Sequence, residues 1–446
     1  FLIVLIFSRN TYNRKLCRST HWQNINIRPL FSKSNYYFCL CISITRKMTN
    51  NNRDIFLSRS RKVLMFLSIW LPPTNNASSF YLVRFVVLLT QYSFLLLEIV
   101  YILLVWGDLK EVSEASNLLF TQAAVCYKVA VFINNKRNLR KLLDFMVVDI
   151  FESQSSLHDK LLLTKAGKVK KLCNIFLVNA LISCTLWTIM PWLDNPEMRN
   201  FPFKIWMPLD PLIFQQFVIG YLYQVISIYI SAMLFFSVDS ITLSMIMFGC
   251  AQIEIIINKI QKIQSAPMSA ILKKEEYSEI IDDNNKLFVE CIRQHQAVIR
   301  FIELLENTYH TNIFFQLSGT VIIICVIGLC ITIAKTSSLQ FYSMLVYMVT
   351  MLSQLLLYCW CGSELTTTSE QLRECLYQCP WYEQDAKFRR SLLIAMETMK
   401  RPIIFKAGHY IPLSRPTFVS VSRHYNCGLL LLIKHYHSMG FSNRDA

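Results

Sequence analysis

Glycine is scarce in this chain, with 10 in 446 residues. Phosphate-cradling loops need closely spaced glycines, so that class of nucleotide site is excluded, and neither a His-Glu-x-x-His helix nor a Gly-x-Ser-x-Gly elbow occurs. Charge is thin as well, at 17% of residues. Among 15 cysteines, Cys375 and Cys379 lie four apart, but no second pair has zinc spacing, so they read as reduced packing thiols. His295 sits among charges, where a solvated histidine is the default. No catalytic residue, metal or cofactor is assigned, and the chain reads as no enzyme.

What is abundant is apolar sequence. Hydrophobic residues make up 53%, in runs long enough to cross a bilayer, which takes about 20 residues. The fold class is therefore all-α: a polytopic membrane protein, with lipid as a constant partner. Net charge is +16, yet a membrane protein concentrates Lys and Arg in cytoplasmic loops, so nucleic acid is not the expected partner. Seven transmembrane helices are predicted at Phe80–Val105, Ala115–Ile133, Leu172–Leu193, Pro211–Phe236, Ile313–Ala334, Gln340–Cys361 and Thr417–Lys434.

Counting only Lys and Arg gives the orientation. Residues 48–79 hold four, the loop 107–114 one, 134–171 nine, 194–210 two, 335–339 one and 362–416 eight. Basic and poor loops alternate, which predicts a cytoplasmic N-terminus. Seven spans then put the C-terminus outside, the reverse of a G-protein-coupled receptor. The motifs of that class, Asp/Glu-Arg-Tyr after the third span and Asn-Pro-x-x-Tyr in the seventh, are absent. A transporter would show internal repeats and broken spans; within the first six spans glycine occurs only at Gly220, Gly319 and Gly328.

Residues 1–47 fit nothing that follows and read as a mistranslated upstream segment, with Met48 as the expected start. Residues 48–79 form a cytoplasmic N-terminus, in which Ile55 to Leu71, basic and tipped by Trp70, is expected as an interfacial helix stopped by Pro72-Pro73. Spans occupy 80–236 and 313–361. The loop 237–312 carries two helical stripes, Ile253, Ile256, Ile260, Ile263 and Leu287, Cys291, Val298, Ile302, Leu305. Residues 362–416 form a cytoplasmic segment, and 417–446 the last span and tail.

The most informative stretch is Tyr377 to Ser414. Phe388, Leu392, Leu393 and Met396 outline an amphipathic helix ended by Pro402, and Ala407-Gly408 with Pro412 reads as a turn. Tyr377, Trp381, Tyr382, Phe388, Arg389, Arg390, Leu392, Met396, Lys400-Arg401-Pro402 and Gly408 to Leu413 follow in register the signature of insect odorant receptors, which the chain resembles over about residues 54–421.

That resemblance implies an odorant-binding subunit of a heteromeric, ligand-gated, non-selective cation channel in olfactory sensory neurons. Its partners would be a shared co-receptor, in a hetero-tetramer, and a small volatile odorant. The alternatives carried are a G-protein-coupled chemoreceptor and a gustatory-type receptor channel. Trp381, Tyr382, Phe388, Arg389, Arg390 and Leu392 would belong to a cytoplasmic anchor joining subunits, packed with the two stripes. The family's ligand site lies in the outer half, among the second, third, fourth and sixth spans. Here that depth offers Phe120, Trp187, Met190, Phe214, Phe217, Tyr221, Met344 and Tyr347, with Tyr221 or Tyr347 as hydrogen-bond donor.

The pore would be lined by the last span, with Leu431 near the gate and Lys434 beside it. Thr417 to Val421 match the family opening, but Ser422-Arg423-His424 do not. Two readings stand there, protein or translated intron. Two of the charges inside the spans stand out. Lys128, in an inner half, is expected to snorkel, and Glu98, in an outer half, to face water or polar neighbours; roughly 10 Å of depth separates them, too far for an ion pair.

Overall fold

The computed structural model describes residues 52–71, 77–193, 200–264, 274–333 and 339–423, all within the unit Asn50–Ala446. The helices are α1 (Asn52–Phe66), α2 (Ala77–Leu104), α3 (Leu109–Asn134), α4 (Lys136–Phe145), α5 (Ser156–Leu193), α6 (Phe214–Ile260), α7 (Lys274–Ile333), α8 (Leu339–Gln378) and α9 (Ala386–Thr398). A short antiparallel pair, β1 (Lys406–Ala407) with β2 (Ile411–Pro412), follows, and residues 415–423 open a last helix, α10.

Six helices among the described residues are long and apolar enough to cross a membrane: α2, α3, α5, α6, α7 and α8. The seventh expected span begins with α10, and the rest of it lies outside the described residues, as do residues 1–47.

Helix α6 is the hub, packing against α1, α2, α3, α5, α7 and α8. Its apolar window is 89% buried, whereas that of α2 is 22% buried. Composition explains the difference in role. Ser227, Ser231, Ser237, Ser240, Ser244 and Gly249 leave room for close helix approach, and a Cβ on Gly249 would come within 2.7 Å of Ile302. Helix α2 instead turns Leu82, Phe85, Leu89, Leu96 and Leu103 outward, as suits contact with lipid.

No break separates the expected fourth and fifth spans from the loop between them. α6 runs on to Ile260, and α7 begins at Lys274 and continues to Ile333. Both stripes of that loop contribute to one core with Phe388 and Leu392 of α9, where the Phe388 and Phe288 ring centroids are 4.7 Å apart. Asp385 caps α9 by accepting from the Phe388 N–H at 2.9 Å. The turn at Ala407 is a hairpin with Gly408 and His409 both at positive φ, +59° and 65°.

Four expectations need correction. His295 is not solvated; it is buried on α7. The buried face of α9 is Phe388, Leu392, Ala395 and Met399, a true i, i+4, i+7, i+11 series; Leu393 lies off that face and is 69% exposed. Trp70 does not tip an interfacial helix. α1 ends at Phe66, and the chain folds back so that Trp70 is buried 6.1 Å from the Phe132 ring, with the Arg84 guanidinium bonded to the carbonyls of Ser68 and Trp70. Lys128 does not snorkel; it is fully buried against Asp239 of α6.

Candidate functional site

A cavity of about 650 Å³ opens among α3, α5, α6 and α8. Its walls repeat at helical spacing, because each helix turns one face to it: Asn117, Leu118, Thr121, Gln122 and Val125 on α3; Ala180, Ser183, Cys184, Trp187 and Met190 on α5; Ile228, Ser231, Ala232, Phe235 and Phe236 on α6; Met344, Tyr347, Thr350 and Met351 on α8. This volume suits a small organic molecule, and the wall is mainly apolar.

The segment 200–205 lines the cavity from the loop between α5 and α6 and is tied down at several points. The Phe203 N–H donates to Gln224 Oε1 at 2.9 Å, and the Trp206 N–H to the Leu97 carbonyl at 3.2 Å. Phe201 rests on Gly220 of α6, where a Cβ would come within 2.5 Å of the ring, so only glycine accepts this approach. The Lys204 ammonium lies 2.7 Å from both Glu111 and Glu114, and the Tyr101 hydroxyl donates to Glu111 at 3.0 Å. Burial lowers the Lys204 pKa, but its hydrogen bonds and attraction to the two carboxylates outweigh that, leaving it above the usual lysine value.

Deeper in, polar groups pair with one another. Gln122 donates to Gln91, and Ser231 donates to Gln91 and to Gln122, tying α2, α3 and α6 together. Asn179 donates to Thr350 at 2.9 Å. The Tyr347 and Thr121 hydroxyls bond each other.

Of the eight residues expected around a ligand, Trp187, Met190, Met344 and Tyr347 line this cavity, and Phe120, Phe214, Phe217 and Tyr221 do not. Phe120 and Phe214 are exposed; Phe120 falls on the far side of α3 from Thr121 and Gln122. Phe217 packs behind Phe201, with ring centroids 5.8 Å apart. The Tyr221 hydroxyl is spent on the Thr188 carbonyl at 2.9 Å. Glu98 does not reach the cavity either; it is buried, and neither carboxylate oxygen has a partner among the described residues. The charged rim, Glu111, Glu114 and Lys204, was missed because all three fall at loop edges by hydropathy, where charge is unremarkable.

The anchor residues separate by exposure. Phe388 and Leu392 are buried, whereas Trp381, Tyr382, Arg389 and Arg390 face outward. Leu431 and Lys434 lie outside the described residues. All 11 described cysteines are free, and no group of His, Cys, Asp and Glu among the described residues could hold a metal.

A family model for the seven-transmembrane odorant receptors matches residues 108–424. Odorant receptor Or1 of Anopheles gambiae is 23% identical over 340 residues, which span 72% of this chain and 81% of that receptor. Odorant receptor 22c of Drosophila melanogaster is 22% identical over 313 residues, 68% and 76% of the two chains. In three dimensions the chain is similar to the insect olfactory receptor OR5 of Machilis hrabei, solved in complex with eugenol. The TM-score is 0.69 at 12% sequence identity, covering 85% of this chain and 99% of that one. With most of its length matched by the family model, and with the same helical fold, the chain is a multi-pass membrane protein that belongs to the insect odorant receptor family.

Proposed function

We propose that this receptor is the odorant-binding subunit of a ligand-gated, non-selective cation channel in the plasma membrane of olfactory sensory neurons. It assembles there with a shared co-receptor in a hetero-tetramer, with its N-terminus in the cytoplasm. The observation that carries the reading is the cavity of about 650 Å³, whose interior polar groups are largely satisfied by one another. Such a site rewards an apolar, volatile-sized molecule and discriminates against an ionised one, which would lose its hydration without gaining partners. The eugenol complex of the Machilis hrabei receptor supports a ligand of that size.

Assembly is assigned to the outward side of α9, the turn before it and the last turn of α8. Leu393, Ile394, Tyr377 and Tyr382 are exposed there, an apolar surface beside a fully packed inner face. The alternating basic loops support the cytoplasmic N-terminus. Ligand opens the gate by binding the open state more tightly than the closed one.

The test is current in cells expressing the receptor with and without an insect co-receptor under a panel of volatiles. Odorant-evoked cation current that depends on the co-receptor is expected. Odorant signalling through a second messenger in the receptor's sole presence would overturn the channel reading.

A further inference from the structure

The cavity contains more hydrogen-bonding groups than it leaves free. Tyr347 shares its hydroxyl with Thr121, and Thr121 also donates to the Asn117 carbonyl at 3.0 Å. Thr350 donates to Val346 at 2.9 Å and accepts from Asn179. Gln122 and Ser231 are bonded to each other and to Gln91. At the mouth, the single Lys204 ammonium bridges Glu111 and Glu114. A ligand drawing on any of these would have to break a bond already made.

Ser183 differs. It lines the cavity from α5, one turn below Trp187 and 4% exposed, and its hydroxyl makes no hydrogen bond with any described residue. A helical serine can donate back to the carbonyl four residues earlier; Ser183 has no such bond to Asn179. Nor is its oxygen among the buried side-chain atoms sealed from solvent without a partner, as Asn117 Oδ1 is. The little surface Ser183 keeps belongs to the cavity wall. Among the buried lining residues this is the hydroxyl left free to donate.

We propose that Ser183 is the residue that selects the ligand's functional group, donating its hydroxyl proton to one oxygen of a neutral, oxygenated volatile such as a ketone, ester or ether. The proposal rests on the receptor reading above. Ligand geometry follows from the wall: the oxygen sits against α5 beneath Trp187, and the hydrocarbon part extends toward Phe235 and Met344. An unmet hydroxyl inside an apolar site is costly, so a ligand that satisfies it gains over its own hydrocarbon skeleton. The same argument disfavours carboxylates, since the one cation of the lining, Lys204, is already held by Glu111 and Glu114. Trp187 was legible in the sequence as an aromatic at the right depth; Ser183, one turn away, carried no signal until the other hydroxyls were seen to be occupied.

The experiment uses the receptor co-expressed with an insect co-receptor and pairs each active ketone, ester or ether with the hydrocarbon of the same skeleton. Each hydrocarbon is read as an agonist or, if it does not open the channel, as a blocker. Ser183→Ala is expected to raise the half-maximal concentration of the oxygenated ligand by about 2- to 12-fold, the worth of one neutral hydrogen bond, and to leave the hydrocarbon's unchanged. Equal shifts for both, or no shift for either, would overturn the role of Ser183 while leaving the receptor reading intact. If no volatile evokes current from the unmodified receptor, the receptor reading fails and the proposal with it.

Discussion

The Lys128 ammonium lies 2.7 Å from Asp239 Oδ1, and both side chains are 2% exposed. Asp239 also accepts from the Tyr358 hydroxyl at 2.8 Å and from the Gln354 amide, which in turn receives a bond from Gln316 at 2.8 Å. One carboxylate thus joins α3, α6 and α8, and through Gln316 it reaches α7. The Lys128 Nζ sits 3.6 Å from the centre of the Phe235 ring, and Phe235 lines the ligand cavity.

Removing one partner leaves the other charge buried alone, which costs about 3–5 kcal/mol. Lys128→Met is expected to abolish most surface expression, and adding Asp239→Asn to it should restore part. Surface biotinylation of the two variants checks this. Equal loss in both would mean that the pair is not the source of the effect.

Gly220→Ala puts a methyl against the Phe201 ring. The ring must move toward the cavity it lines, so the largest active ligands should lose potency first and the smallest least. Dose-response curves across a series of ligands of rising length measure it; a uniform shift would count against Phe201 as the wall.

The two sides of α9 should respond differently. Phe388→Ala empties a fully buried position and is expected to cost about 3–5 kcal/mol, read as lost expression. Leu393→Asp changes an exposed residue and should leave folding within about 0.5 kcal/mol while reducing co-purification with the co-receptor. Unchanged co-purification would remove α9 from the interface.

Lys204 has a raised pKa through its bonds to Glu111 and Glu114. Its stabilising contribution is therefore complete below the usual lysine value of 10.5 and is lost only as pH rises through the higher folded value. The closing of the 200–205 segment by Lys204 should accordingly be indifferent to pH near neutrality. Lys204→Met, by contrast, should speed ligand washout at every pH. A washout rate that changes near neutral pH in the unmodified receptor but not in Lys204→Met would contradict this assignment.

Hydropathy and the Tyr377 to Leu413 signature were sufficient to read the membrane class, the first six spans and the family, because bilayer thickness imposes run length on each span separately. Trp187, Met190, Met344 and Tyr347 were legible as cavity residues for a similar reason, being apolar or aromatic at one depth of their helices. Phe120 was equally eligible by depth, and so was Phe217, because depth does not say which side of a helix meets which neighbour. That depends on how each helix is rotated about its axis, and packing fixes the rotation. Asp239 shows the limit most plainly: it lies just past the predicted end of a span, inside the expected loop 237–312, and its partner Lys128 is 111 residues earlier. The sequence by itself determined that these helices cross the membrane and that some carry charge. Only the tertiary structure decided that Lys128 finds Asp239 and that Ser183, alone among the buried hydroxyls of the cavity wall, is left unpaired, since both are matters of which helical faces the packing brings together.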